Sequence, residues 1–184
     1  MGLFSSFKGN KTAPRTDLVW QTYEAKVKGC VDFLKNNKVD ICVAWFQSTN
    51  DQFNQFFSDQ YHLNYKVVMA NTLFPFSLDN KNVLFLEHYP MFSIEENLLG
   101  KSKPVKITFI NSLEDPILKI VGGNISKMMD SLGMKKDECL EHSLISKSIV
   151  NAQKRIQKEI GFDFRAKSGD DWINQFQTNN KKTF

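Results

Sequence analysis

The chain has 184 residues, with 24 Lys and Arg against 20 Asp and Glu for a formal charge of +4, and a hydrophobic fraction of 41% that includes sixteen Phe. That composition excludes a disordered chain and leaves room for one domain, with or without a helical appendage. The mild positive charge is spread along the sequence instead of gathered in blocks, which argues for a solvated surface and against a nucleic-acid partner.

A polar lead-in ends at Pro14, and residues 1–15 are expected to be a flexible N-terminus. Residues 16–35 follow, with Leu18, Val19, Tyr23, Val27, Val31 and Leu34 close to helical spacing behind Thr16, so a helix is predicted there, ended by Asn36-Asn37. The run VDICVAWF at 39–46 is short, apolar and rich in β-branched and aromatic residues, as in a buried strand. Ser48-Thr49-Asn50 then caps a helix carrying Phe53, Phe56 and Phe57 on one face.

Strands are predicted at 65–71, 82–87 and 105–110, with a helix at 92–99 between the last two. Strands alternating with helices imply an α/β layer with a mainly parallel sheet over 16–111. From Leu113 onward only helices are predicted, at 114–121, 124–132, 144–160 and 170–177, forming a helical segment over 112–177 before a polar tail at 178–184.

Cys30, Cys42 and Cys139 are odd in number and far apart, so they suggest neither a metal site nor a disulfide framework, and fit a reducing cytoplasm. Cys42 falls inside an apolar strand, where a thiol is inert core. No apolar run approaches the ~18 residues of a membrane span, and no secretory leader is evident. His62, His88 and His142 are not at metal spacing from one another or from a Cys.

The stretch 111–156 is too idiosyncratic for generic helix. Ser112-Leu113-Glu114-Asp115, Met128-Met129-Asp130-Ser131-Leu132-Gly133-Met134, Glu141-His142 and Asn151-Ala152-Gln153 occur in one order. Together they resemble the junction of the SecA preprotein-translocase ATPase family, where the second motor domain hands over to the helical scaffold. The resemblance implies a RecA- or helicase-motor-like sheet and a bacterial protein-transport setting. In that setting Met1-Gly2-Leu3-Phe4-Ser5-Ser6, which fits the N-myristoylation pattern, is not expected to be lipidated.

Followed backward, the resemblance covers 87–104, EHYPMFSIEENLLGKSKP, where Glu87, Ile94, Leu98, Gly100 and Ser102 keep the family's scaffold positions. Where the family supplies arginines to nucleotide phosphates, this chain has Leu99, Lys101 and Pro104. A guanidinium presents a fixed fork of donors to phosphate, whereas Lys is a point charge and Leu and Pro offer nothing. The family's Gly- and Asp-containing loop is replaced by Thr72-Leu73-Phe74-Pro75-Phe76, and no G-x-x-x-x-G-K-[ST] loop occurs. The resemblance therefore implies a degenerate motor domain without catalytic residues or cofactor, with Glu87, Gly100, Lys101 and Ser102 as a candidate nucleotide remnant.

Phe74 and Phe76, with Tyr89, Met91 and Phe92, follow strands on the edge where the family binds nucleotide, and form a candidate interface for a protein partner. The leading expectation is a non-enzymatic binding module, accessory or regulatory in protein transport. Its partner would be the translocase or a client protein, with a homodimer as a further expectation. Two alternatives remain: a nucleotide-binding switch without hydrolysis, and an enzyme of unrelated chemistry centred on Glu87 and His88 at a strand's carboxyl end.

Overall fold

A computed structural model describes residues 13–180. The lipidation pattern at the start, most of the segment expected to be flexible, and residues 181–184 of the expected tail lie outside them. The chain builds β1 (Arg15–Trp20), α1 (Tyr23–Asn36), β2 (Ile41–Ala44), α2 (Gln47–Gln55) and β3 (Val67–Met69). Next come β4 (Asn82–Phe85), α3 (Phe92–Leu99), β5 (Lys106–Ser112), α4 (Pro116–Val121) and α5 (Gly123–Ser131). β6 (Leu140–Glu141), α6 (Ser143–Glu159) and α7 (Gly169–Asn180) complete it.

The six strands form one sheet in the order β3-β2-β4-β5-β1-β6, parallel throughout except for β6, which runs antiparallel to β1. This is the expected α/β layer with a mainly parallel sheet. Successive strand residues point to opposite faces, and each face is covered by a different set of helices. Cys42, Ala44, Leu84 and Ile110 meet Cys30, Leu34, Phe53 and Phe57 of α1 and the α2 region. Val43, Val83, Phe85 and Phe109 meet Leu98 of α3, Leu118 of α4, Ile145 and Ile149 of α6, and Trp172 of α7.

Two expectations are corrected. The helix predicted over 16–35 opens as strand β1, paired from Arg15↔Ile107 to Trp20↔Ser112; only from Tyr23 does the chain become helical. Leu18 and Val19 satisfy either period, and it is the distant partner β5 that decides between them. Thr22 is the true cap, its side chain accepting from Ala25 N at 3.2 Å. Trp20 then folds back on α1 over Gly29, where any Cβ would collide with the indole.

The second correction is β6: the region after Leu113 is not wholly helical, because Val19↔Leu140 and Leu18↔Glu141 pair. Two paired residues leave no periodicity to read. α7 also continues through Asn180, three residues into the expected tail.

From β2 the chain crosses to β3 through α2 on one face, whereas from β4 it crosses to β5 through α3 on the other. The crossovers diverge between β2 and β4. That is a topological switch point, where the carboxyl ends of strands in an open α/β sheet leave a crevice.

Candidate functional site at the strand carboxyl edge

β4 delivers Glu87, His88 and Tyr89 in succession to this edge, and the three side chains enter three separate networks. Glu87 Oε1 accepts from Trp45 N at 3.0 Å and Phe46 N at 2.9 Å, while Thr49 Oγ1 donates to Oε2 at 2.7 Å. It fixes the turn from β2 into α2. Burial pushes its carboxyl up to about 7, against the pull of Thr49, the Lys26 charge and the Phe46 amide.

His88 is held at both ring nitrogens, Nε2 2.5 Å from Asp17 Oδ1 and Nδ1 2.8 Å from Glu95 Oε1, with its ring stacked 3.9 Å from that of Phe109. Arg15 donates to Glu95 Oε2 at 2.5 Å, and Ser146 donates to Asp17. Burial alone would drive the imidazole down, but Glu95 and Asp17 outweigh it and raise His88 to about 9. Burial works against both carboxylates as well, yet the His88 charge holds each below its usual range. Arg15 and His88 thus offset Asp17 and Glu95 in a closed group of two cations and two anions, tying β1, β4, α3 and α6 together.

Tyr89 donates to Asp163 at 2.7 and 2.8 Å, stacks on Phe46 at 5.4 Å and lends its carbonyl to Gln153 Nε2 at 2.7 Å. Trp172 Nε1 also donates to Asp163, at 2.8 Å.

The structure divides the candidate interface. Phe74 and Phe76 are exposed, at 65% and 70%, and stack on each other 5.5 Å apart. Tyr89 and Met91 are core residues at 8% and 5%, because α6 and α7 fold over them. Phe92 is half-buried beneath the Lys154 ammonium, 4.6 Å from its ring centroid. Of these five residues, Phe74 and Phe76 are the ones that present an exposed apolar surface.

Nor are the candidate remnant residues together. Gly100, Lys101 and Ser102 follow α3 at the amino-terminal edge of the sheet, beside Arg15 and Pro104 in a cleft of 680 Å³; Glu87 is at the opposite edge. Ser102 Oγ closes α3 by donating to Leu99 O at 2.9 Å, and a Cβ on Gly100 would meet Glu96 O at 2.9 Å. Leu99, at a family arginine position, is buried. The enzyme alternative finds Glu87 and His88 in different, closed networks, with neither imidazole nitrogen free to meet a substrate.

The motifs of 111–156 have structural work. Glu114 accepts from Tyr23 N at 2.8 Å, and Asp115 binds Lys26 Nζ at 2.7 Å and Ser112 N at 3.0 Å, joining the start of α4 to α1. Gly133, at φ 64°, ends α5 while Met129 is wholly buried. His142 caps α6 by accepting from Leu144 N, and Gln153 reaches Tyr89. Residues missed in the sequence are Arg15, Asp17, Glu95, Ser146 and Asp163. Asp17 had a signal, a charge set between Thr16 and Leu18 among β-formers.

Beside Tyr89, at the switch point, a cleft of 480 Å³ opens between Trp45, Phe46, Leu73, Ile94, Phe164 and Arg165. Among the described residues no group of His, Cys, Asp and Glu could hold a metal, and no helix is long and apolar enough to cross a membrane.

No protein-family model matches the chain. Protein translocase subunit SecA of Desulfotalea psychrophila is 42% identical over 77 residues, 39% of this chain and 9% of its own length. The subunit of Acidithiobacillus ferrooxidans is 35% identical over 89 residues, and that of Pelobacter propionicus 30% over 140 residues, or 73% of this chain. The chain spans between 9% and 16% of the length of these relatives. With the motif order of 111–156 carried on a mainly parallel sheet, the chain is a SecA-related protein.

Proposed function

We propose that the chain is a protein-binding module of the SecA line, accessory or regulatory in protein transport, that does not hydrolyse ATP. The observation that carries this is the exchange at the strand edge: an exposed, stacked Phe74 and Phe76 pair stands in the apolar loop after β3, where the family resemblance calls for a Gly- and Asp-containing loop. The transport setting is supported by the likeness to SecA and by nothing else in the molecule. The arginine positions support the loss of hydrolysis, since buried Leu99 and Pro104 cannot reach a phosphate.

A stacked aromatic pair with well over half its surface in water is the kind of anchor that binding surfaces concentrate. Purified SecA and a denatured preprotein, each presented to the immobilised chain, test the reading. Binding that is lost in the double variant Phe74→Ser, Phe76→Ser supports it. Binding to neither, or ATP turnover by the isolated chain, overturns it.

The non-hydrolysing switch is favoured by one observation, the cleft that gathers Arg15, Lys101, Ser102 and Lys103. Calorimetric titration with ATP, ADP and GTP separates the readings: heat that Lys101→Ala and Lys103→Ala abolish would support the switch, and no heat at millimolar nucleotide would remove it.

A further inference from the structure

We propose that the switch-point cleft binds a small aromatic carboxylic acid. Its walls are rings on rigid elements: Trp45 and Phe46 leave the end of β2, Tyr89 leaves β4, and Phe164 comes from the connection between α6 and α7. Phe46 and Tyr89 stack within 19° of parallel, and the Tyr89 hydroxyl is anchored on Asp163, so this wall is preorganised. At 480 Å³ the cleft is within the range of small-molecule sites, about 300–1,000 Å³.

Its polar groups select the charge of the occupant. Two ionised side chains line the cleft, Asp163 and Arg165. Both oxygens of Asp163 are engaged by Tyr89, and one also by Trp172. Arg165 has no ion pair among the described residues.

Trp45 is 9% exposed, and its indole N–H is sealed from solvent without a hydrogen-bond partner among the described residues, so this ring presents only apolar surface to the cleft. Asn71 and Asn97 add neutral donors and acceptors to the lining, so the preference for charge comes from Arg165, and a carboxylate supplies two acceptors in the planar geometry that a guanidinium fork matches. A phosphate dianion fits less well. Arg165 is the lone cation on the lining, the Asp163 charge is adjacent, and Lys101 and Lys103 belong to the cleft at the other edge of the sheet.

The loop after β3 serves both surfaces without merging them. Leu73 and Pro75 line the cleft, whereas Phe74 and Phe76 face solvent. The site therefore goes beyond the partner-binding reading and stands or falls separately from it.

Calorimetry on the full chain with phenylacetate, phenylacetamide and a hexapeptide ending in Phe, as free acid and as amide, tests the site. Phenylacetate is expected to bind about tenfold or more tightly than phenylacetamide, and Arg165→Met to remove that difference. Arg165 is exposed, so the variant should keep the wild-type melting temperature, and Arg165→Lys should retain part of the preference. Equal binding of acid and amide, phenylacetate affinity unchanged in Arg165→Met, or no phenylacetate binding at millimolar concentration would overturn the proposal. Preference for the peptide acid over phenylacetate by about tenfold would also overturn it, and would give the cleft to a chain terminus.

Discussion

Lys26 Nζ and Asp115 Oδ2 stand 2.7 Å apart with both side chains nearly sealed from water, at 2% and 6% exposure. The pair crosses from α1 to the first residue before α4, and Asp115 further accepts from the amide and hydroxyl of Ser112. A buried ion pair of this kind says little about net stability while intact, because desolvation offsets attraction; removing one partner strands the other. Lys26→Met should accordingly destabilise the chain by about 3–5 kcal/mol. The double variant Lys26→Met, Asp115→Asn should recover part of that loss. Urea unfolding of Lys26→Met, Asp115→Asn and the double variant measures both, and a double variant as unstable as the sum of its single changes would refute the coupling.

How much of this was legible in the sequence depended on range. α3 is found at the predicted residues 92–99, because its start after Pro90 and its end at Gly100 are local signals. β1 was not, since Leu18 and Val19 fit a helix as well as a strand until β5 lies beside them. The same holds for the site. Phe74 and Phe76 are outward-facing on a turn, which their own neighbours determine, but Tyr89 and Met91 are buried by α6 and α7, more than fifty residues further along the chain. The Asp17, His88 and Glu95 cluster gathers residues from three elements, and no spacing along the sequence encodes it.

That cluster makes stability depend on alkaline pH. His88 is raised from 6.5 to about 9 in the folded chain, so its contribution is fully present below pH 6.5 and is lost as pH rises through 9. Its size, from the shift, is on the order of 3 kcal/mol. Asp17 and Glu95, held low, give the complementary acid limb: their contribution is present above their ordinary values and lost as pH falls through the depressed ones. Replacement by an uncharged ring-sized group, His88→Phe, should flatten the fall between pH 6.5 and 9 and lower stability at neutral pH by leaving buried Asp17 without the His88 cation and Glu95 with Arg15 alone. Urea midpoints across that range measure it, and an unchanged slope in the variant would disprove the assignment.

Glu87 acts with the opposite sign to an ordinary ion-paired carboxylate. Burial raises it from 4.5 to about 7, so the folded chain favours its protonated form, and stability should decline as pH rises from 4.5 through 7. Glu87→Gln keeps an acceptor for the Trp45 and Phe46 amides while removing the ionisation. It should match wild type near pH 4.5 and equal or exceed it at pH 8. A variant less stable at pH 8 by more than it is at pH 4.5 would mean that the ionised carboxylate stabilises the turn.

Phe74 and Trp172 separate surface function from packing. Phe74 and Phe76 are largely in water, so changing both to Ser should alter stability by about 0.5 kcal/mol or less. Trp172 is wholly buried, packs against Phe164 and Phe176, and donates to Asp163. Trp172→Ala should cost about 3–5 kcal/mol through the cavity and the lost donor. If the aromatic pair is a partner surface, Phe74→Ser with Phe76→Ser should lose partner binding at unchanged melting temperature, the reverse of a packing defect. Thermal unfolding and partner binding measured on the same preparations decide it: a double variant that melts markedly lower would return the pair to the fold's own stability and leave the strand edge without an exposed anchor.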